Sequence, residues 1–117
     1  ISAIAEFVDQ AERAIAACGL QAELINFGHL GDGNLHFNVM IPLSSSYDEV
    51  RQATLLLNRL VHDLVTEKQG SISAEHGVGQ LRRDELRHYK SPLEMELMLR
   101  IKQAFDPNLI MNPGKLL

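Results

Sequence analysis

The sequence predicts an α+β fold, an antiparallel sheet with helices packed on one face. Two observations carry that expectation. Residues 34–41 alternate apolar and polar immediately after a glycine-rich turn, and residues 22–28 before the turn are strand-like, so the pair reads as a hairpin. Two long segments, 2–18 and 46–69, repeat apolar residues at three- and four-residue steps and read as amphipathic helices. The full expected order is helix, strand, strand, helix, strand, helix, helix. The 117 residues are expected to form a single domain.

The first helix is expected over 2–18. Ile4, Phe7, Val8, Ala11, Ala14, Ile15 and Cys18 form its stripe, with Ser2 as the candidate cap and Gly19 as the left-handed stop. Glu6, Asp9, Glu12 and Arg13 lie mainly on the opposite, solvated side. Cys18 is the sole cysteine, so no internal disulfide framework exists, and its place at the end of the stripe makes it a core residue.

In the hairpin, Gly31-Asp32-Gly33 supplies the backbone freedom of the turn, with Asp32 as a turn residue. Leu35, Phe37, Val39 and Ile41 share one face, the expected core face. Asn34, His36, Asn38 and Met40 share the other, and His29 stands just ahead of the turn. Pro42 ends the strand because it has no N–H for a sheet ladder.

Ser46 and Glu49 form a capping box that opens the second helix. Val50, Ala53, Leu57, Leu60, Val61 and Leu64 make its stripe, Leu55 and Leu56 widen it towards a second neighbour, and Gly70 is its expected stop. Residues 71–75 are expected to form a third strand, followed by the flexible backbone of His76-Gly-Val-Gly79. A short helix or turn follows over 80–86. Ser91-Pro-Leu-Glu94 is a second capping box with proline at the first helical position. Leu93, Leu97, Met98, Ile101, Ala104 and Phe105 make the last stripe, which Asp106-Pro107 closes. Met95, Met98 and Met111 read as core filling, and His62 and His88 as exposed. The tail 108–117 has no period.

Bulk properties narrow the function. A net charge of -4 with no extended basic run, and the absence of tryptophan, argue against a nucleic-acid partner. No run of about 18 apolar residues exists that would form a membrane helix, and no signal peptide is visible. The chain begins at Ile1 rather than methionine, which suggests a piece of a longer protein.

His29, His36 and Glu75 can converge if the third strand joins the hairpin. Two imidazoles and a carboxylate are a common ligand set for zinc and similar ions, and three protein ligands leave a position open. The same residues also read as surface histidines and a turn carboxylate. His76 reads either as a general base or as an ordinary loop residue. Asn34 and Asn38 suit either a ligand oxygen or the turn backbone. No nucleophile elbow, phosphate loop or dinucleotide fingerprint occurs.

Three segments bear on these alternatives: Gly28-His-Leu-Gly-Asp-Gly-Asn-Leu-His36-Phe-Asn38, Ser73-Ala-Glu-His-Gly-Val-Gly-Gln-Leu-Arg82 and Asp106-Pro-Asn-Leu-Ile-Met-Asn-Pro-Gly-Lys115. In this order and spacing they closely resemble the C-terminal part of the FAD-linked 2-hydroxyacid dehydrogenases and oxidases. That group contains the D-lactate dehydrogenases, the glycolate oxidase FAD subunit and the D-2-hydroxyglutarate dehydrogenases, among the vanillyl-alcohol-oxidase-type flavoproteins. The resemblance runs from about Glu23 to Leu117 and implies part of a ferredoxin-like cap domain.

It also implies roles. His29, His36 and Glu75 match divalent-metal ligands, usually for zinc. His76 matches the base that takes the hydroxyl proton. Asn38 and Arg82 match substrate-side positions, and Asn112 matches a residue that returns towards the flavin. Val78 stands where the family more often has isoleucine. FAD is expected to be held mainly by a preceding domain of the same protein, so this chain alone is expected to be inactive. A small 2-hydroxyacid is the expected substrate. Self-association through the open sheet face is expected, as is a cytoplasmic location, membrane-associated in some members or mitochondrial in a eukaryote. Two other readings remain at this point: a stand-alone metal- or ligand-binding module without catalysis, and a metal-dependent hydrolase.

Overall fold

The computed structural model describes residues 2–29, 31–42 and 44–117. Among them are four helices and one two-stranded sheet: α1 (Ile4–Ala17), β1 (Glu23–His29), β2 (Asn34–Met40), α2 (Tyr47–Glu67), α3 (Arg83–Tyr89) and α4 (Pro92–Phe105). The chain divides into two compact units, Ile1–Glu75 and His76–Leu117.

In the first unit β1 and β2 pair antiparallel, from Glu23 opposite Met40 to His29 opposite Asn34. Side chains alternate across a strand, so this register separates two faces. Leu24, Phe37 and Val39 point inward, together with Ile41 just past β2. They pack on Ile15 of α1 and on Ala53 and Leu57 of α2. Phe7 of α1 meets Phe37 edge to face, with ring centroids 5.6 Å apart. The opposite face carries Ile25, Phe27 and His29 beside His36, Asn38 and Met40. The expected α+β arrangement, helices on one side of an antiparallel sheet, is the one observed.

Local hydrogen bonding explains most helix ends. Ser46 and Glu49 exchange both capping-box bonds at the start of α2, and Ser91 and Glu94 do so at the start of α4 behind Pro92. Gly19 takes the left-handed conformation (φ 69°) after α1. Ser2 does not cap α1; the cap position is Ala3, without a side-chain bond. At the end of α2 the left-handed residue is Gln69 (φ 58°), not Gly70. Gln69 N–H donates to the Thr66 carbonyl and Gly70 N–H to the Val65 carbonyl, the paired bonds of a Schellman motif.

The expected third strand is absent: residues 71–75 are irregular. The Ser71 hydroxyl accepts from Ser73 N–H and donates to the Ser73 carbonyl, so local bonds replace a ladder. His62 is buried rather than exposed. At 100° per residue it projects within about 20° of Leu55, so the widened side of α2 is covered at His62. Leu55 and Leu56 themselves stay exposed.

In the second unit, the α4 stripe is not a buried one. Leu93, Leu97, Ile101 and Phe105 are exposed, as is Met111 of the tail. Asp106, by contrast, is only 3% exposed. Its carboxylate accepts from Ile110 N–H, Met111 N–H and Lys102 Nζ, which folds the start of the tail back on the end of α4. The Lys102 hydrogen bond foremost, and the two backbone bonds with it, hold this carboxyl below its usual range against the opposing effect of burial. Farther along the tail, Arg83 Nη1 donates to the Gly114 carbonyl at 2.8 Å and Lys115 Nζ to Gln80 Oε1 at 2.9 Å.

Candidate metal centre on the outer sheet face

The hairpin turn sets the site. Gly33 N–H donates to the His29 carbonyl at 3.0 Å, and Gly33 is left-handed (φ 77°). Asp32 Oδ1 accepts from Asn34 N–H at 3.1 Å, the turn role expected of it. A different constraint fixes Gly28. A Cβ there would lie 2.0 Å from the Asn34 carbonyl oxygen, so the two strands approach closely only because Gly28 has no side chain. The ends of β1 and β2 are thereby drawn together beside the turn.

His29 and His36 consequently share the outer face, with ring centroids 5.8 Å apart. The irregular segment after α2 brings Glu75 to them. Its Oε1 stands 3.2 Å from His36 Nε2 and its Oε2 4.0 Å from His29 Nδ1. One donor atom from each of the three residues lies within 4.8 Å of the others. The three converge as expected, although no third strand delivers the carboxylate. Asp32 Oδ2 stands 3.7 Å from His29 Nδ1 on the turn side.

This donor set fits a divalent ion such as zinc. Metal bonds of about 2.1 Å in tetrahedral geometry place donors roughly 3.4 Å apart. The His36–Glu75 pair already has that spacing, and the His29–Glu75 pair needs a small side-chain rotation.

The remaining predicted residues lie at several places. Asn38 projects from the same outer face two residues beyond His36, and its amide donates to the Ile25 carbonyl at 3.4 Å. His76 opens the second unit and is exposed, followed by left-handed Gly77 (φ 71°). Arg82 occupies the position before α3 and is exposed. Asn112 is exposed and left-handed (φ 47°), and its carbonyl accepts from Lys115 N–H. The Arg83 and Lys115 bonds tie the Asn112–Lys115 stretch to the segment bearing Arg82. Sequence reasoning overlooked one residue, Phe27. It pairs directly across from His36, and the two rings stack at 4.7 Å and 8°. The signal for it lay in the hairpin register: the pairing that puts His29 opposite Asn34 puts Phe27 opposite His36.

The family model described as "FAD linked oxidases, C-terminal domain" matches residues 1–116. The chain belongs to this family. It is 49% identical over 94 residues to a D-2-hydroxyglutarate dehydrogenase of Stutzerimonas stutzeri, a match covering 80% of this chain and 20% of that protein. It is 37% identical over 116 residues to a D-2-hydroxyglutarate dehydrogenase of Xanthomonas citri pv. viticola, covering 99% of this chain and 25% of the relative. A D-lactate dehydrogenase of Anaerostipes hadrus is 35% identical over 113 residues, 97% of this chain and 23% of its own length. The chain thus spans a fifth to a quarter of the length of these curated relatives. No helix among the described residues is long and apolar enough to cross a membrane.

Proposed function

We propose that this chain is the metal- and substrate-site portion of a flavin-dependent oxidoreductase that oxidises a D-2-hydroxyacid to the 2-oxoacid by hydride transfer to FAD. The observation that carries the proposal is the convergence of His29, His36 and Glu75 on the outer sheet face of a member of the FAD-linked oxidase family. The names of its relatives, D-2-hydroxyglutarate and D-lactate dehydrogenases, support a small 2-hydroxyacid as substrate. Membership of that family weighs against a stand-alone binding module and against a hydrolase.

No dinucleotide-binding strand–loop–helix unit occurs among the described residues. The flavin is therefore assigned to a domain of the same protein outside this chain, where it would supply the two-electron acceptor. On the present chain, His29, His36 and Glu75 hold a divalent ion, zinc being the best match to an N2O donor set. Such an ion would supply Lewis-acid polarisation of the substrate hydroxyl. Asn38, on the same face as His36, offers its amide to a substrate oxygen. Arg82 offers a bidentate guanidinium to a carboxylate. The His76 imidazole accepts the hydroxyl proton. Asn112, exposed on a left-handed turn, faces the flavin. The exposed Ile25, Phe27 and Met40 make the outer sheet face a contact surface, for the flavin domain or for a second copy. The whole protein is assigned to the cytoplasm, or to the mitochondrion if its source is eukaryotic. A rice relative that matches 97% of this chain bears "mitochondrial" in its name.

Elemental analysis of the purified chain and of His36→Ala tests the site. About one zinc per chain, lost in the variant, is expected; zinc retained by His36→Ala would overturn the assignment. The full-length protein, assayed with a panel of D-2-hydroxyacids and an artificial electron acceptor, tests the reaction. Bleaching of the bound flavin by a D-2-hydroxyacid is expected, and an inert flavin across the panel would refute it.

A further inference from the structure

Phe27 has no place in the core: it projects from the outer sheet face and is 58% exposed. What its ring touches is His36. The two are directly opposed in the register, and their planes lie 8° from parallel with centroids 4.7 Å apart. His36 is thus held on three sides. Its flat face lies on Phe27, His29 meets it at 60°, and Nε2 points at Glu75 Oε1, 3.2 Å away.

We infer that Phe27 is a positioning residue: its stacked ring fixes the plane of the His36 imidazole, the plane in which Nε2 faces Glu75 and would face a metal ion between them. The inference rests on the metal-site reading above. The physical need is specific. The terminal torsion of histidine is broad and roughly two-fold, so a half-exposed imidazole on a strand sweeps its nitrogens through a wide arc. A ligand in that condition must be ordered when the ion binds. A flat aromatic neighbour narrows the arc beforehand, because the ring leaves its stack if it turns out of plane. Glu75 offers less restraint, since it comes from an irregular segment. The cross-strand position suits the task, because opposed residues on one face of an antiparallel pair keep their Cβ atoms about 5 Å apart. The stack is therefore set by backbone pairing. Groups that orient a ligand without touching the ion typically contribute about 10–100-fold to metal affinity.

The test compares this chain with Phe27→Leu and Phe27→Tyr. Leucine keeps apolar bulk but cannot stack; tyrosine restores the flat ring. Zinc affinity is measured by competition with a chromogenic chelator, cobalt(II) binding by its visible absorption, and folding by the thermal midpoint. Phe27→Leu should bind zinc about 10-fold more weakly and give an altered cobalt spectrum at an unchanged midpoint. Phe27→Tyr should restore both. Wild-type affinity and spectrum in Phe27→Leu would overturn the inference, as would failure of tyrosine to restore them.

The proton NMR of His36 without metal supplies an independent readout. Stacking should shift its ring protons upfield in wild type, and Phe27→Leu should return them downfield. If wild type takes up no zinc, the metal assignment fails and this shift decides the inference alone. Identical ring shifts in wild type and Phe27→Leu would then refute it.

Discussion

Glu75 meets His36 from an irregular segment: its Oε1 stands 3.2 Å from His36 Nε2 although no strand carries it there. The contact joins the segment after α2 to the outer face of the hairpin. Two imidazoles and one carboxylate then converge, one donor atom from each within 4.8 Å of the others.

Glu75 supplies the only carboxylate in that set of three. Glu75→Gln keeps its shape and removes its charge. Zinc affinity, measured by chelator competition, is expected to fall by about 100-fold or more, at or beyond the top of the range for groups that only orient ligands. Affinity within threefold of wild type would mean that Glu75 does not ligate.

At Gly28 the backbone of β2 occupies the place a side chain would need. In Gly28→Ala the new methyl would lie 2.0 Å from the Asn34 carbonyl oxygen, so the hairpin must shift. The expected loss is about 1–3 kcal/mol, the usual scale for forcing a methyl into filled space. A lowered urea midpoint reads it. Because His29 is the next residue, zinc affinity should fall with the midpoint. A full-affinity, fully stable Gly28→Ala protein would show that the close approach is not needed.

Acid should loosen α4 in a defined window. The Lys90 hydrogen bond foremost, then the Ser91 N–H and hydroxyl, lower the Glu94 carboxyl from 4.5 to about 2. A carboxyl depressed on folding stabilises the folded form above its unfolded value, and that stabilisation is lost as the pH falls through its folded value. Wild type should therefore melt above Glu94→Gln at neutral pH. The gap, followed by circular dichroism, should close between pH 4.5 and about 2. A gap that does not vary with pH would place the effect elsewhere.

Asp106 anchors the tail. In Asp106→Asn one carboxylate oxygen becomes an NH2 group, which cannot accept, so either the Ile110 or the Met111 N–H loses its acceptor. Amide exchange at one of those two residues at least should quicken by about tenfold or more, the scale of one lost hydrogen bond. Exchange in the hairpin should not change. Unaltered protection at both residues would remove Asp106 from that role.

Where a feature depends on bonds between near neighbours, the residues alone determined it. Ser46 with Glu49 and Ser91 with Glu94 set two helix starts, because a capping box closes within three residues. Alternation through Phe37, Val39 and Ile41 determined which side of the hairpin meets the core, because the period of a strand is two. The three motifs identified the family and the residues His29, His36 and Glu75.

Contacts between distant residues were decided only by the tertiary structure. Ser71 to Glu75 have the side chains of a strand, but a strand needs a free ladder partner. Here Ser71 and Ser73 bond to each other instead. The α4 stripe has helical period, yet a period does not say whether anything covers it, and Leu93, Leu97, Ile101 and Phe105 remain exposed. His62 shows the reverse: a polar residue on a helix gives no sign of burial until its surroundings are in place. Gln69 took the left-handed turn one residue before Gly70, since the bonds to Thr66 and Val65 fix which residue must bend. Phe27 acquired its partner through the register, and register is a property of two strands together. The sequence by itself therefore determined the family and singled out His29, His36 and Glu75; the fold decided how Glu75 reaches the two histidines and which ring stacks on His36.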